Sequence, residues 1–315
     1  MLKRILAAIA LVFCAPGVAK AAWPEKPVKL VVPYPAGGAA DLPARVAAEG
    51  LQRKLGQPFI VENRAGAAGQ IGTEQVVRSP PDGYTIYCGP NAPHVLLPLL
   101  RKTNYKTSDL VPIAPFGELV YGIGVLKTMA PNNLKELVAY AKANPGKLSY
   151  SSPGIGSATH LRSEVFNLLA GTQITHIPYR TGAEALPDLL AGRLDMMQDN
   201  IFFPQVRLGT VKMLGVISSR RHPEFPDVPT FAEQGYPIDL PVWGGLLAPV
   251  GTPQPIIDAL AKAMNELNAE PQIVERMLKI GWVPYVATQA DLLKQVASEA
   301  KAYQTWVDRT QLKLE

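Results

Sequence analysis

Cysteine is nearly missing from this chain of 315 residues, which holds only Cys14 and Cys88. Cys14 falls in a segment expected to be removed on export, which leaves Cys88 alone. A lone thiol excludes an intrachain disulfide and any zinc site built on cysteine. Histidine is scarce as well. His94, His160, His176 and His222 have none of the close spacings that metal sites use, so each reads as structural and no metal is expected. Charged residues make up 18% of the chain, and the net charge of +5 is spread along it, which excludes the clustered basic face of a nucleic-acid-binding protein. Long apolar runs are missing too. The first, Ile5 to Phe13, is short of the ~20 residues a membrane span needs, and no later stretch is longer.

That first run belongs to an export signal. Lys3 and Arg4 form the charged start, residues 5–13 the apolar middle, and Ala19-Lys20-Ala21 an A-x-A cleavage site. Phe13 stands where a lipoprotein signal requires a small residue, so cleavage is expected after Ala21, leaving a soluble periplasmic chain.

Enzyme signatures are also missing. Gly156 directly precedes Ser157, whereas a nucleophile elbow needs Gly-x-Ser-x-Gly. Gly146-Lys147 is followed by leucine, so there is no phosphate-binding P-loop. Gly154-x-Gly156-x-x-Thr159 lacks the third glycine of a dinucleotide fingerprint. Asp195 and Asp199 share one strand face and read as a polar rim or a ligand contact before they read as an acid–base pair. No catalytic residue and no cofactor is expected.

What the chain does contain is an alternation of short apolar strands with helical patterns, the mark of an α/β fold with mostly parallel sheets flanked by helices. One corner of this pattern lies in residues 29–45, KLVVPYPAGGAADLPAR. LVV reads as a buried strand, and Pro33, Pro35, Gly37 and Gly38 form a turn. Asp41 is placed as the N-cap of a helix that ends near Gly56. A second corner lies in residues 147–170. KLSYSS reads as the strand and PGIGSAT as the turn, and the helix after it aligns Leu161, Val165, Phe166 and Leu169 on one face. Each corner aims backbone N–H groups and the positive end of a helix dipole at one point, where anions bind. Ser157 and Thr159 add hydroxyls. No arginine sits in either turn, so oriented amides are expected to hold a carboxylate, and Gly38 is expected to need positive φ or a close ligand approach. Two such corners over a hundred residues apart suit a clamp of two lobes.

Residues 104–117 read as a connecting loop, and 121–127 as a strand leaving the first lobe. The loop-rich residues 222–241, with five prolines, mark a return path. Residues 242–250 read as a strand crossing back, followed by long amphipathic helices over 255–269 and 289–310. The expected division is therefore signal 1–21, lobe one 22–122, lobe two 123–240, and lobe one again 241–315.

At this level of detail the sequence resembles the Bug-type periplasmic receptors of the tripartite tricarboxylate transporter family. The resemblance rests on WPEKPVKLVVPYPAGGAAD, GQPFIVENRAGAAGQIGTE, PDGYT, LVAYAKANPGKLSYSSPGIGSATHL, HIPYRTGAEALPDLLAGRLDMMQDN, FPDVPTFAEQGYP and WGGLLAPVGTP, which follow the family's order over nearly the whole chain. It implies a two-lobed type II periplasmic binding protein fold with the ligand cleft between the lobes. It also implies that ligand carboxylates are pinned by the two corners, often through bridging water. By position, the first corner offers Tyr34, Ala36, Gly37, Gly38 and Asp41. The second offers Ser152, Gly154, Ser157 and Thr159, and the strand end at Gln198, Asp199 and Asn200 faces the cleft. Four positions depart from the family's pattern. Ala40 replaces a hydroxyl residue, Thr181 a glycine, Gln198 a phenylalanine and Gly244 an aromatic, and such changes would suit a longer or more polar ligand. The implied role is a monomeric receptor that delivers a dicarboxylate or aromatic carboxylate to membrane transporter subunits. A sensor of the same fold feeding a sensor kinase, and a hydrolase using Ser157 and His160, are the competing roles.

Overall fold

The computed structural model describes residues 23–155, 157–218, 221–238 and 240–311, so the expected signal at 1–21 lies outside the described residues. Buried strands and amphipathic helices alternate from the start. Strand β1 (Val28–Val32) is followed by α1 (Asp41–Leu55), which stops at Gly56 in the left-handed conformation, its N–H bonded to Gln52 O. Next come β2 (Phe59–Asn63), α2 (Gln70–Val77), β3 (Thr85–Pro90), the short helices α3 (Ala92–Val95) and α4 (Leu97–Leu100), and β4 (Leu110–Leu119).

Strand β4 overturns the connecting loop expected over 104–117. Pro112 and Pro115 lie within the strand, although proline cannot donate to a ladder. They are tolerated because β4 pairs only with the returning strand along most of its length, and the register slips twice beside them.

Val120 alone separates β4 from β5 (Tyr121–Leu126), the first strand of a second sheet. That sheet is built from β5, α5 (Leu134–Ala143), β6 (Ser149–Ser152), α6 (Ala158–Ala170), β7 (Thr175–Pro178), α7 (Gly182–Leu190), β8 (Met196–Asp199), α8 (Phe203–Arg207) and β9 (Val211–Ile217). The chain then returns through β10 (Trp243–Pro249), α9 (Gln254–Asn268), α10 (Pro271–Lys279), β11 (Trp282–Val283) and α11 (Gln289–Thr310).

The first sheet has the order β11-β4-β10-β3-β1-β2 and the second β7-β6-β8-β5-β9. The two-sheet α/β class stands, with the expected parallel pairing confined to one part of each sheet. β1 runs parallel to β2 and β3, and β6 to β7 and β8, each joined by crossover helices. Strands that arrive from the other lobe enter from the opposite end. β10 is thus antiparallel to β3 and β4, and β5 to β8 and β9.

Each sheet has its own apolar core, one around Leu30, Leu246 and Leu260 and one around Ile123, Tyr150 and Phe166. A third cluster joins them. Val95 and Leu96 of the first lobe, Leu161 and Val165 of α6, and Leu292, Tyr303 and Val307 of α11 pack together. The last helix therefore touches both lobes.

Candidate functional site

The first corner leaves β1 at Val32 and turns through residues 33–40. Its left-handed residue is Gly37, at φ 78° with nothing within 4 Å of where a Cβ would stand, so it faces open space. Gly38, expected to carry that requirement, has no positive φ, and a Cβ on it would meet Pro35 O at 3.3 Å.

Asp41 is not the N-cap. It is the first residue of α1, and Ala40 holds the cap position without a side-chain bond. The buried Asp41 carboxylate instead staples its own loop. Oδ2 accepts from the Gly37 N–H and from Arg45 Nε, both at 2.8 Å, and Oδ1 accepts from Asn63 Nδ2 at 2.9 Å. Asn63 Nδ2 also donates to Tyr34 O at 3.0 Å. Burial by itself would raise the Asp41 pKa, but the bonds from Arg45, Gly37 and Asn63 outweigh it and hold the carboxyl below its usual range. The donors assigned to this turn change accordingly. The Gly37 and Gly38 N–H groups are bonded inside the loop, to Asp41 and to Pro35 O, while those of Ala36, Ala39 and Ala40 have no partner among the described residues. Trp282 Nε1, donating to Ala39 O at 2.9 Å, pins the turn from behind.

The second corner is tied differently. Ser157 caps α6, its Oγ accepting the His160 N–H at 3.2 Å. Gly154, at φ 105°, again faces open space. The Ser152 hydroxyl lies 3.0 Å from Gly154 O and 2.7 Å from His176 Nε2, which commits it to holding the turn. The His160 ring stacks on His176 with centroids 4.1 Å apart. Burial first, and the neighbouring His160 second, pull the His176 pKa down to about 4. Thr159 is buried, and its Oγ1 accepts from Arg162 Nη2 at 3.2 Å.

The two corners meet at Tyr121, the first residue of β5. The Arg162 guanidinium lies 4.4 Å over the Tyr121 ring. The Tyr34 phenol has its pKa raised by burial and then by the nearby Tyr121, Tyr105 and Tyr303.

At the end of β8, Gln198 is buried against α6. Its Oε1 accepts from Ser163 Oγ at 3.3 Å, and its Nε2 has no partner. Asp199 Oδ1 accepts the N–H groups of Asn200 and Ile201 at 2.7 and 3.1 Å, and burial pushes its pKa up. The Asn200 side chain lies against Gly281 of the first lobe, so that strand end already spans the gap between lobes. Asp195 is structural, its Oδ2 taking the Ser149 N–H at 2.8 Å and the Ser149 hydroxyl at 2.7 Å.

The other departures from the family's pattern have local explanations. Thr181 caps α7, accepting from the Glu184 N–H at 3.3 Å. Gly244 opens no space, because a Cβ there would run into Phe116, whose ring packs edge-on against Trp282 at 4.8 Å. A cavity of about 530 Å³ lies elsewhere, against α11 and the return path; Glu118, Trp243, Tyr285 and Glu299 are among its lining residues, and none of the residues expected from the sequence lines it.

Arg162, Tyr121 and Asn63 were not expected from the sequence. The signal for Arg162 was its place three, four and seven residues before Val165, Phe166 and Leu169, on the buried stripe of its helix.

The model of the tripartite tricarboxylate transporter family receptor matches residues 43–312 of this chain. The chain belongs to that family. This receptor is 35% identical over 324 residues to protein BugT of Bordetella pertussis (strain Tohama I), a match that covers 99% of each chain. It also superposes on solved structures. With the periplasmic binding protein BugD the TM-score is 0.81 at 35% identity, over 93% of this chain and 100% of that one. With Rpa4515 of R. palustris, solved with adipate, it is 0.83 at 29% identity, over 93% and 99%. The receptor is therefore a periplasmic solute-binding protein of two-lobed fold. Among the described residues no helix is long and apolar enough to cross a membrane.

Proposed function

We propose that this receptor closes its two lobes on a carboxylate and delivers it to the membrane subunits of a tripartite tricarboxylate-type transporter, after export and cleavage following Ala21. The observation that carries the reading is the meeting of two strand–turn–helix corners, one from each sheet, at Tyr121. The open faces of Gly37 and Gly154 and the unpaired N–H groups of Ala36, Ala39 and Ala40 supply room and donors for an anion. Tyr34, Gly38, Ser157 and Thr159 complete the two walls. Gln198, Asp199 and Asn200 form the far end, and Asp41 and Ser152 hold the turns in shape. Rpa4515, solved with adipate, supports the carboxylate class.

A thermal-shift panel of dicarboxylates and aromatic acids, with adipate and malate among them, tests this reading. A binding acid at about a hundred times its Kd should raise the melting temperature by about 5 °C or more, and its diamide should be silent. Equal shifts from acid and diamide would refute the carboxylate site. Uptake of the same acid by cells carrying or lacking the membrane subunits tests delivery.

A further inference from the structure

Arg162 stands alone among the described lysines and arginines in being fully buried. Only its Nη2 is hydrogen-bonded, to Thr159, while Nε and Nη1 have no partner. Among the described residues no carboxylate forms an ion pair with it. Asp199 is the acidic group near enough to influence it, and Asp199 Oδ1 is taken by the N–H groups of Asn200 and Ile201. The Tyr121 ring covers one face of the guanidinium and leaves its edges. A carboxylate can seat on a guanidinium along Nε with Nη2 or along Nη1 with Nη2, and on either edge one nitrogen here is unbonded. A buried cation with open donors is costly to maintain, and arginine does not relieve that cost by losing its proton. Within the described protein the Tyr121 ring, the Thr159 hydroxyl and the nearby Asp199 meet the charge only in part, Nε and Nη1 stay unbonded, and the group lies beside the first turn of α6, where the two corners meet.

We propose that Arg162 is a ligand-anchoring residue that takes one carboxylate of the ligand, while the turn amides take the other. This inference rests on the carboxylate-receptor reading and sharpens it. The site has two unlike anion seats, so it selects an acid charged at both ends over one charged at a single end.

The test compares each dicarboxylate of the panel that binds, adipate and malate included, with its monoamide, by calorimetry on the wild type, Arg162→Met and Arg162→Lys. The wild type should prefer the diacid by about 10–100-fold, the worth of a charged hydrogen-bonded contact. In Arg162→Met the two should bind alike to within about threefold, and the ligand-free variant should melt no lower than the wild type, because an unpaired buried charge has been removed. A merely structural arginine gives the opposite pattern, with a lower melting point and an unchanged preference, and that result would overturn the proposal. If Arg162→Met does not fold, Arg162→Lys decides. The loss of the planar fork should cut its preference about tenfold, and an unchanged preference overturns the proposal. Failure of every acid to bind the wild type would overturn the receptor reading itself, and Arg162's role with it.

Discussion

The carboxylate of Asp41 faces its own loop and fixes where the neighbouring amides point. It gathers Gly37, Asn63 and Arg45 around one buried group, so its removal strands the Gly37 N–H and leaves Asn63 with Tyr34 O and Arg45 as its remaining partners. Asp41→Ala should lower stability at neutral pH by about 2 kcal/mol, measured by denaturant unfolding. The pH dependence follows from the depressed pKa. The contribution is full above the unfolded carboxyl value of about 4 and is lost as pH falls through the lower folded value. Wild type and variant should therefore converge in acid, and a gap that stays constant to pH 2 would contradict this. The same residue shows how far a sequence can be read. The turn, its glycines and the following helix were legible, because breakers and helix starts are local signals. That Asp41 serves the loop was not, because Asn63 reaches it from the next strand. Arg162 was missed for a related reason. Its chemistry depends on the absence of a partner, and only packing reveals an absence.

The elements themselves were mostly legible. Helices α1, α6, α9 and α11 match the stretches that predict them. Strand β4 was not, because its prolines are tolerated only where a neighbouring strand is lacking, a fact of sheet order that no window of residues contains. Gly244 teaches the same lesson. Read as a family position stripped of its aromatic, it suggested a roomier cleft. Within strand β10 it makes way for Phe116 and Trp282, which fill that volume from β4 and β11. Gly244→Ala should therefore cost about 1–3 kcal/mol through overpacking while leaving the affinity for a bound acid unchanged. A changed affinity with unaltered stability would return Gly244 to the cleft.

For the whole molecule, Val120 carries the chain from β4 to β5, the chain returns from β9 to β10, and α11 packs against both lobes beside these passages. The proposed closure of one lobe on the other would then pivot about this braced side. Small-angle scattering should show a smaller radius of gyration when a binding acid is saturating, and an unchanged radius would point to a preformed pocket. The position of β10 has a further consequence. It lies between β3 and β4, yet it is made only after the entire second sheet. A chain emerging from its N-terminus can assemble strands β5 to β9 as soon as residue 217 is free, but the first sheet stays split until residues 243–249 arrive. Order of assembly is thereby written into strand order, with the middle of the chain maturing ahead of its beginning. Pulse-labelled hydrogen exchange during refolding should find the amides of β6 and β8 protected before those of β3 and β4. Simultaneous protection would mean that the lobes fold as one unit.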